Sequence, residues 1–226
     1  MSRPSPDPSP AAPGRPRDAS IDVAVLETTL RHLARDGFTG LSLAAVAHDA
    51  GTTRPAIYRR WKDRTALAVS AVAHLAQVSP PRVTGEPFTD LVAELEHFRH
   101  CITDAGALPL AGLMLGDGVA EDVRREYAAQ VVAPRRARIR ASLSAAVDRG
   151  DLPADADLLI AASFITGSWY SLALAGAEVP DDWAVRTATL VWRACGGEPL
   201  PAHARASTAR AASQRATGTR NGEQET

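Results

Sequence analysis

From about Ala19 to Cys195 the apolar residues of this chain recur at three- and four-residue intervals, the spacing of helices that turn one face inward. No stretch alternates β-branched with polar residues between turn signals, so the pattern predicts an all-α fold of about nine helices. The first helix spans about Ala19 to Asp36, with Leu26, Leu30, Leu33 and Ala34 inward and Gly37 ending it. The second opens after Ser42 and turns Leu43, Val46 and Ala47 inward. The third opens after Thr53 and places Pro55 in its first turn, where a missing N–H costs nothing. Asp63 caps a fourth helix that reaches about Val78, and Pro80-Pro81 ends it.

Beyond the proline pair, Phe88, Leu91, Leu95, Phe98 and Ile102 mark a helix up to Asp104, followed by a short apolar one from about Leu108 to Leu115. A long helix from about Glu121 to Arg149 carries Val123, Tyr127, Val131, Ile139, Leu143 and Val147, and Pro134 inside it predicts a kink or a split. Two further helices, about Asp155 to Ala175 and Asp182 to Cys195, follow the break at Gly150-Asp151-Leu152-Pro153. The expected organisation is a disordered extension over 1–13, a first domain over 14–78, a second over 79–197, and a disordered tail over 198–226.

The chemistry concentrates in residues 42–67. Two short helices joined by a tight turn at Gly51 make a helix-turn-helix, whose second helix is shaped for a DNA major groove. From Gly51 to Arg64 there are five basic residues, Arg54, Arg59, Arg60, Lys62 and Arg64, against the single acid Asp63. The net charge of −1 hides an asymmetry: residues 1–78 carry 10 basic and 7 acidic side chains, and residues 79–196 carry 11 and 16. A basic head on an acidic body fits one end meeting phosphate. Lys62 is the only lysine, so an arginine in the reading helix is weaker evidence for selected base contact than elsewhere.

The two cysteines, Cys101 and Cys195, belong to no paired motif and are expected to be thiols in a reducing compartment. No apolar run reaches the roughly 20 residues of a membrane span, and the first residues lack a signal-peptide core, so a cytoplasmic protein without a membrane partner is expected. The chain has no Gly-x-Ser-x-Gly, no phosphate-cradling Gly-rich loop, no His-Glu-x-x-His and no paired Cys motif, which argues against an enzyme. Glu94, His97, His100 and Cys101 can share a helix face, but no second cluster completes a tetrahedral site, so neither a metal nor a cofactor is expected. Arg135, Arg136, Arg138 and Arg140 spread around a helix axis and are expected to form a solvated face.

The segment from Gly14 to about Leu75 resembles the DNA-binding domain of the tetracycline-repressor (TetR) family of bacterial transcriptional regulators. The matching residues are Gly14-Arg15-Pro16-Arg17, Leu33-Ala34-Arg35-Asp36-Gly37-Phe38, Val46-Ala47 before Ala50-Gly51, then Ile57-Tyr58, Trp61, and Lys62-Asp63-Arg64 to Leu67. The resemblance implies that Thr53, Arg54 and Pro55 face the bases, that the Tyr58 hydroxyl meets a phosphate, and that Arg64 holds a phosphate position usually filled by lysine. Ala56 departs from the threonine common at its position. Helix starts such as that after Ser42, together with Arg59, Arg60 and Lys62, are further phosphate candidates. Arg15 and Arg17 of the arm could enter a flanking minor groove.

The same resemblance implies an N-terminal three-helix DNA-binding domain and a distal helical domain that binds a small-molecule inducer and forms a homodimer. The implied DNA partner is a double-stranded operator, an inverted repeat. For the dimer interface the candidates are Phe164, Gly167, Trp169, Tyr170, Trp183, Leu190 and Trp192; for the ligand pocket they are Phe98, Cys101, Met114, Tyr127 and Trp169. The leading reading is a homodimeric repressor released from its operator by ligand. The alternatives are a ligand-independent DNA-binding protein, and a helical small-molecule carrier or enzyme in which the motif is incidental.

Overall fold

A computed structural model describes residues 19–78, 80–103 and 106–198, and among these every regular element is helical. The elements in order are α1 (Ala19–Gly40), α2 (Leu43–Asp49), α3 (Arg54–Tyr58), α4 (Arg64–Val78), α5 (Pro87–Thr103), α6 (Leu108–Leu113), α7 (Glu121–Tyr127), α8 (Ala133–Asp148), α9 (Leu158–Leu174) and α10 (Trp183–Ala194). A π-helical turn, Ala128–Val132, joins α7 to α8 end to end, so these three segments occupy the place of the single long helix expected there. The predicted N-terminal extension and all of the predicted C-terminal tail except Glu198 lie outside the described residues.

Local chemistry accounts for the element ends. The side chains of Ser42, Thr53, Asp63 and Asp157 accept hydrogen bonds from Ala45, Ala56, Ala66 and Ile160 N–H at 3.4, 3.3, 2.8 and 3.0 Å, each satisfying a donor the helix leaves free. α1 leaves its helical path at Gly37, whose φ of 68° suits a residue without Cβ. The inward stripe of α1 differs from expectation. Val25, Thr28, Thr29, His32 and Leu33 are buried, Leu26 and Leu30 pack only partly, and Ala34 is exposed. Polar residues occupy this arc because each has a partner there: Thr29 donates to the Val25 carbonyl at 2.7 Å, and the His32 ring meets Asp49 at 2.8 Å.

Pro134 acts on the backbone four residues earlier. Its ring displaces the carbonyl of Gln130, and the chain absorbs this by widening into the π turn rather than breaking. The Gln130 carbonyl then accepts from Gln77 Nε2 of α4 at 3.5 Å.

α4 is the centre of the packing. Ala66, Leu67, Ala68, Val69, Ala71, Val72, Ala73 and Ala76 are buried around nearly its whole circumference, against α1 on one side and α5, α7 and the π turn on the other. α5 lies between α8 and α10, and α9 packs on both of those. Phe98 of α5 is fully buried and meets the rings of Trp169, Tyr170 and Trp183 at centroid distances of 6.0, 5.9 and 5.9 Å. Gly106, ahead of α6, lies so close to α1 that a Cβ there would stand 2.7 Å from the Leu33 carbonyl oxygen.

The arginine run of α8 is not a solvated face. Arg135 is buried over the Phe98 ring, Arg136 is half-buried and donates to Ser163 Oγ at 3.2 Å, and Arg138 reaches Glu94 of α5. Arg140 alone of the four is exposed. The Arg138–Glu94 contact is bidentate, at 2.7 and 2.9 Å, and Glu94 is only 2 % exposed. Removing the carboxylate charge leaves a half-buried guanidinium without its anion, which costs about 3 kcal/mol. Glu94→Gln should therefore lower the free energy of urea unfolding by roughly that amount, with little change in helix content. A change within about 0.5 kcal/mol would mean that the pair is not what joins α5 to α8.

Candidate nucleic-acid interface

The helix-turn-helix rests on a small apolar centre. Val46 and Ala47 of α2, Ile57 and Ala56 of α3, Leu41, Leu33 and Leu67 are buried, with Trp61 packed at the edge. Gly51 makes the turn between α2 and α3 with a φ of 64°. Because Ala56 and Ile57 face inward, α3 presents Thr53, Arg54, Pro55, Tyr58 and Arg59 outward, and all five are exposed. The Arg54 guanidinium lies 5.9 Å from the Tyr58 ring centroid, so the planar cation and the phenol form one exposed surface.

The remaining basic candidates divide differently. Arg60 turns back to pair with Asp22 of α1 and donates to the Ala56 carbonyl at 3.2 Å. Its side chain is mostly covered, so it braces α3 against α1 instead of standing ready for phosphate. Lys62 lies 3.3 Å from Asp122 of α7; both side chains are exposed, which makes the pair weak and separable. Arg64 donates to the Thr39 carbonyl at 3.1 Å and lies over the Phe38 ring at 4.8 Å, pinning the turn before α2 while remaining exposed. Ser42 is an exposed cap. Arg15 and Arg17 lie outside the described residues.

Two residues of this end carry more than periodicity indicated. His32 is buried, its Nε2 2.8 Å from Asp49 Oδ2, with Arg35 at 3.1 Å on its other ring nitrogen. Asp49 also meets His48 at 2.8 Å, and these hydrogen bonds, His48 first and His32 second, hold its carboxyl below the usual carboxylate range. The signal in the sequence is a histidine between Thr29 and Leu33 on a buried arc, which demands a polar partner.

In the distal helices the proposed pocket residues Phe98, Cys101, Met114, Tyr127 and Trp169 are all buried. Glu94 is engaged by Arg138, and His97 lies 3.3 Å from the Ala76 carbonyl and 3.8 Å from Cys101 Sγ. Burial holds the His97 ring below its ordinary pKa. The interface candidates separate into two groups. Phe164 and Leu190 are 67 % and 71 % exposed, and Gly167 is exposed between them in sequence. Trp169, Trp183 and Trp192 are instead buried within the protomer, and Tyr170 is half-covered. The reason is Phe98 and Phe88: the first packs against Trp169 and Trp183, and the second meets Trp192 edge-on at 5.4 Å.

This arrangement matches known proteins along most of its length. Residues 25–81 fit the family model of bacterial regulatory proteins of the tetR family, and residues 81–191 fit the tetracyclin repressor-like C-terminal domain. A DNA-binding transcriptional repressor TetR of Mycobacteroides abscessus is 34 % identical over 149 residues, covering 62 % of this chain and 75 % of that one. The chain belongs to the TetR family. It is a helix-turn-helix DNA-binding transcriptional regulator. The HTH-type regulator YdeS of Bacillus subtilis is 24 % identical over 172 residues, spanning 75 % of this chain and 87 % of its own. Among solved structures, the TetR family transcription regulator SCO0332 superposes with a TM-score of 0.63 at 25 % identity, covering 80 % of this chain and all of that one. Among the described residues, no helix of this TetR-family protein is long and apolar enough to cross a membrane.

Two outcomes check the geometry. Arg60→Ala should lower the unfolding midpoint by loosening α3 from α1, and its salt dependence of DNA binding should match wild type; a flattened salt slope would return Arg60 to the phosphates. Asp49 contributes stability above its unfolded pKa and loses it as pH falls through its depressed folded value. Asp49→Asn should therefore differ most from wild type near neutral pH and converge with it in acid, as followed by circular dichroism.

Proposed function

We propose that this regulator is a homodimeric repressor that reads an inverted-repeat operator with α3 and leaves it when a small molecule enters the distal helices. The observation that carries the reading role is the division of α3, with Ala56 and Ile57 in the core and Thr53, Arg54, Pro55, Tyr58 and Arg59 on the outer face. Arg54 can fork onto a guanine edge and Pro55 can pack against a thymine methyl. The Tyr58 hydroxyl, Arg59, the separable Lys62 and the exposed Arg64 supply phosphate contacts that set register. Arg15 and Arg17 are assigned to the flanking minor groove on the family resemblance. A DNA partner places the protein in the cytoplasm.

A second copy of the chain is supported by α9 and α10. Ile160, Phe164, Gly167, Ser171 and Leu174 follow one another at helical spacing on the exposed side of α9, and Leu190 is exposed on α10. An apolar stripe of this length facing water is unfavourable unless it is covered. The two-fold pairing also meets the need for two reading helices about one DNA turn apart. Repression and ligand release rest on the family, whose M. abscessus member is a repressor by name.

Selection of bound duplexes from a random pool tests the reading head. Wild type should enrich an inverted repeat, and Arg54→Ala should weaken its binding by about 1–3 kcal/mol and relax selectivity at one position per half-site. Enrichment that Arg54→Ala and Tyr58→Ala together leave unchanged would remove α3 from the role. Phe164→Glu with Leu190→Glu should convert the dimer to a monomer in sedimentation and abolish tight operator binding; a dimer that survives both would place the interface elsewhere.

A further inference from the structure

The distal interior contains a buried cation that has no ion-pair partner among the described residues. Arg135 is 5 % exposed, and among the described residues no carboxylate pairs with it. Glu94, the buried acid of the neighbouring helix, has both oxygens taken by Arg138. The surroundings of Arg135 are aromatic: its guanidinium lies 4.5 Å from the Phe98 ring centroid, with the interacting Tyr127 and Tyr170 hydroxyls and the His97 ring within electrostatic reach. Burial raises the pKa of both tyrosines, so they remain neutral and supply no charge. A buried guanidinium in such a place is unfavourable unless it is compensated, and a ring face compensates only part of the lost solvation.

Among the described residues, two buried donors here have no acceptor, Arg135 Nε and Trp169 Nε1. Both belong to side chains packed against Phe98, one stacked on the ring and one meeting it edge-on. An anionic acceptor at Arg135 would meet aromatic surroundings, with Phe98 under the guanidinium, Trp169 and Trp183 packed on the same ring, and the Tyr127 hydroxyl within electrostatic reach. We propose that the distal helices of this regulator bind an organic acid, whose carboxylate pairs with Arg135 and whose apolar body packs among these aromatic rings. The proposal rests on the reading of the distal helices as a ligand-binding domain and names the ligand's charge and class.

The position of Arg135 gives the acid a route to the reading head. It lies three residues beyond the π turn, whose Gln130 carbonyl is held by Gln77 of α4. Phe98, on which it stacks, follows His97, whose ring lies 3.3 Å from the Ala76 carbonyl of the same helix. An acid that draws Arg135 toward itself therefore pulls on two attachments of the end of α4.

The test uses the full chain with 2-naphthoate and octanoate, each against its neutral amide, followed by tryptophan fluorescence and thermal unfolding. Wild type should bind at least one acid ~10-fold or more tighter than its amide, the margin of a charge-assisted hydrogen bond. Arg135→Gln, which keeps donors without charge, and Arg135→Met should both lose that preference, while Arg136→Met keeps it. Without ligand, Arg135→Met should unfold at the same or a higher temperature than wild type, because it removes an uncompensated charge. Equal binding of acid and amide, no binding of either acid, a preference that survives Arg135→Met, or marked destabilisation by Arg135→Met without ligand would each overturn the proposal. Acid binding that leaves affinity for the selected duplex unchanged would leave the anion site standing and overturn ligand release instead.

Discussion

Helix α4 is covered from two sides by different parts of the chain, and the rest of the structure is arranged around that double burial. Its alanines and valines allow close approach of α1 on one side and of α5, α7 and the π turn on the other. A helix apolar almost all round has no stable position in water, so neither half of the molecule can change its relation to α4 without exposing apolar surface. The polar attachments are concentrated where α4 ends. Asp63 caps its first turn just after α3, and Ala76 and Gln77 at the other end are held by His97 and the Gln130 carbonyl. α4 is therefore packed and hydrogen-bonded to both halves, and any coupling between them of the kind proposed would have to pass through it.

Charge is used oppositely at the two ends. On α3 Arg54 and Arg59, the cations proposed to meet DNA, are left in water, where their desolvation cost is small, while Arg60 holds the helix to Asp22. In the distal half, Arg138 has its own carboxylate and Arg135 has none among the described residues. An unpaired buried cation weakens the protein, so a bound anion of the kind proposed would link ligand binding to stability at that one residue.

Much of the fold was legible in the sequence because it depends on local chemistry. Ser42, Thr53 and Asp63 cap the helices they were expected to cap, Gly37 ends the helical path of α1, and the Phe88-to-Ile102 spacing forms the buried face of α5. The outward face of α3 was legible for the same reason, since Ala56 and Ile57 define the inward one. What was not legible depends on which neighbour a face meets. Trp169, Trp183 and Trp192 resemble interface residues by composition, yet Phe98 and Phe88 claim them for the protomer. Four arginines in six residues suggest a solvated surface, and only the position of α5 turns Arg135 and Arg138 inward. The shift of the α1 stripe toward Thr28, Thr29 and His32 likewise needed Asp49 in place.

Linkage is reciprocal, so DNA bound at α3 must alter the distal interior if α4 couples the two. Hydrogen–deuterium exchange of the full chain, with and without the selected operator duplex, measures this without any knowledge of the ligand. Altered protection is expected in the last turns of α4 and in residues 128–138, in addition to protection of α2 and α3 by DNA. Changes confined to α1–α3 and the start of α4 would contradict this coupling, and would leave a reading head with no mechanical connection to the domain behind it.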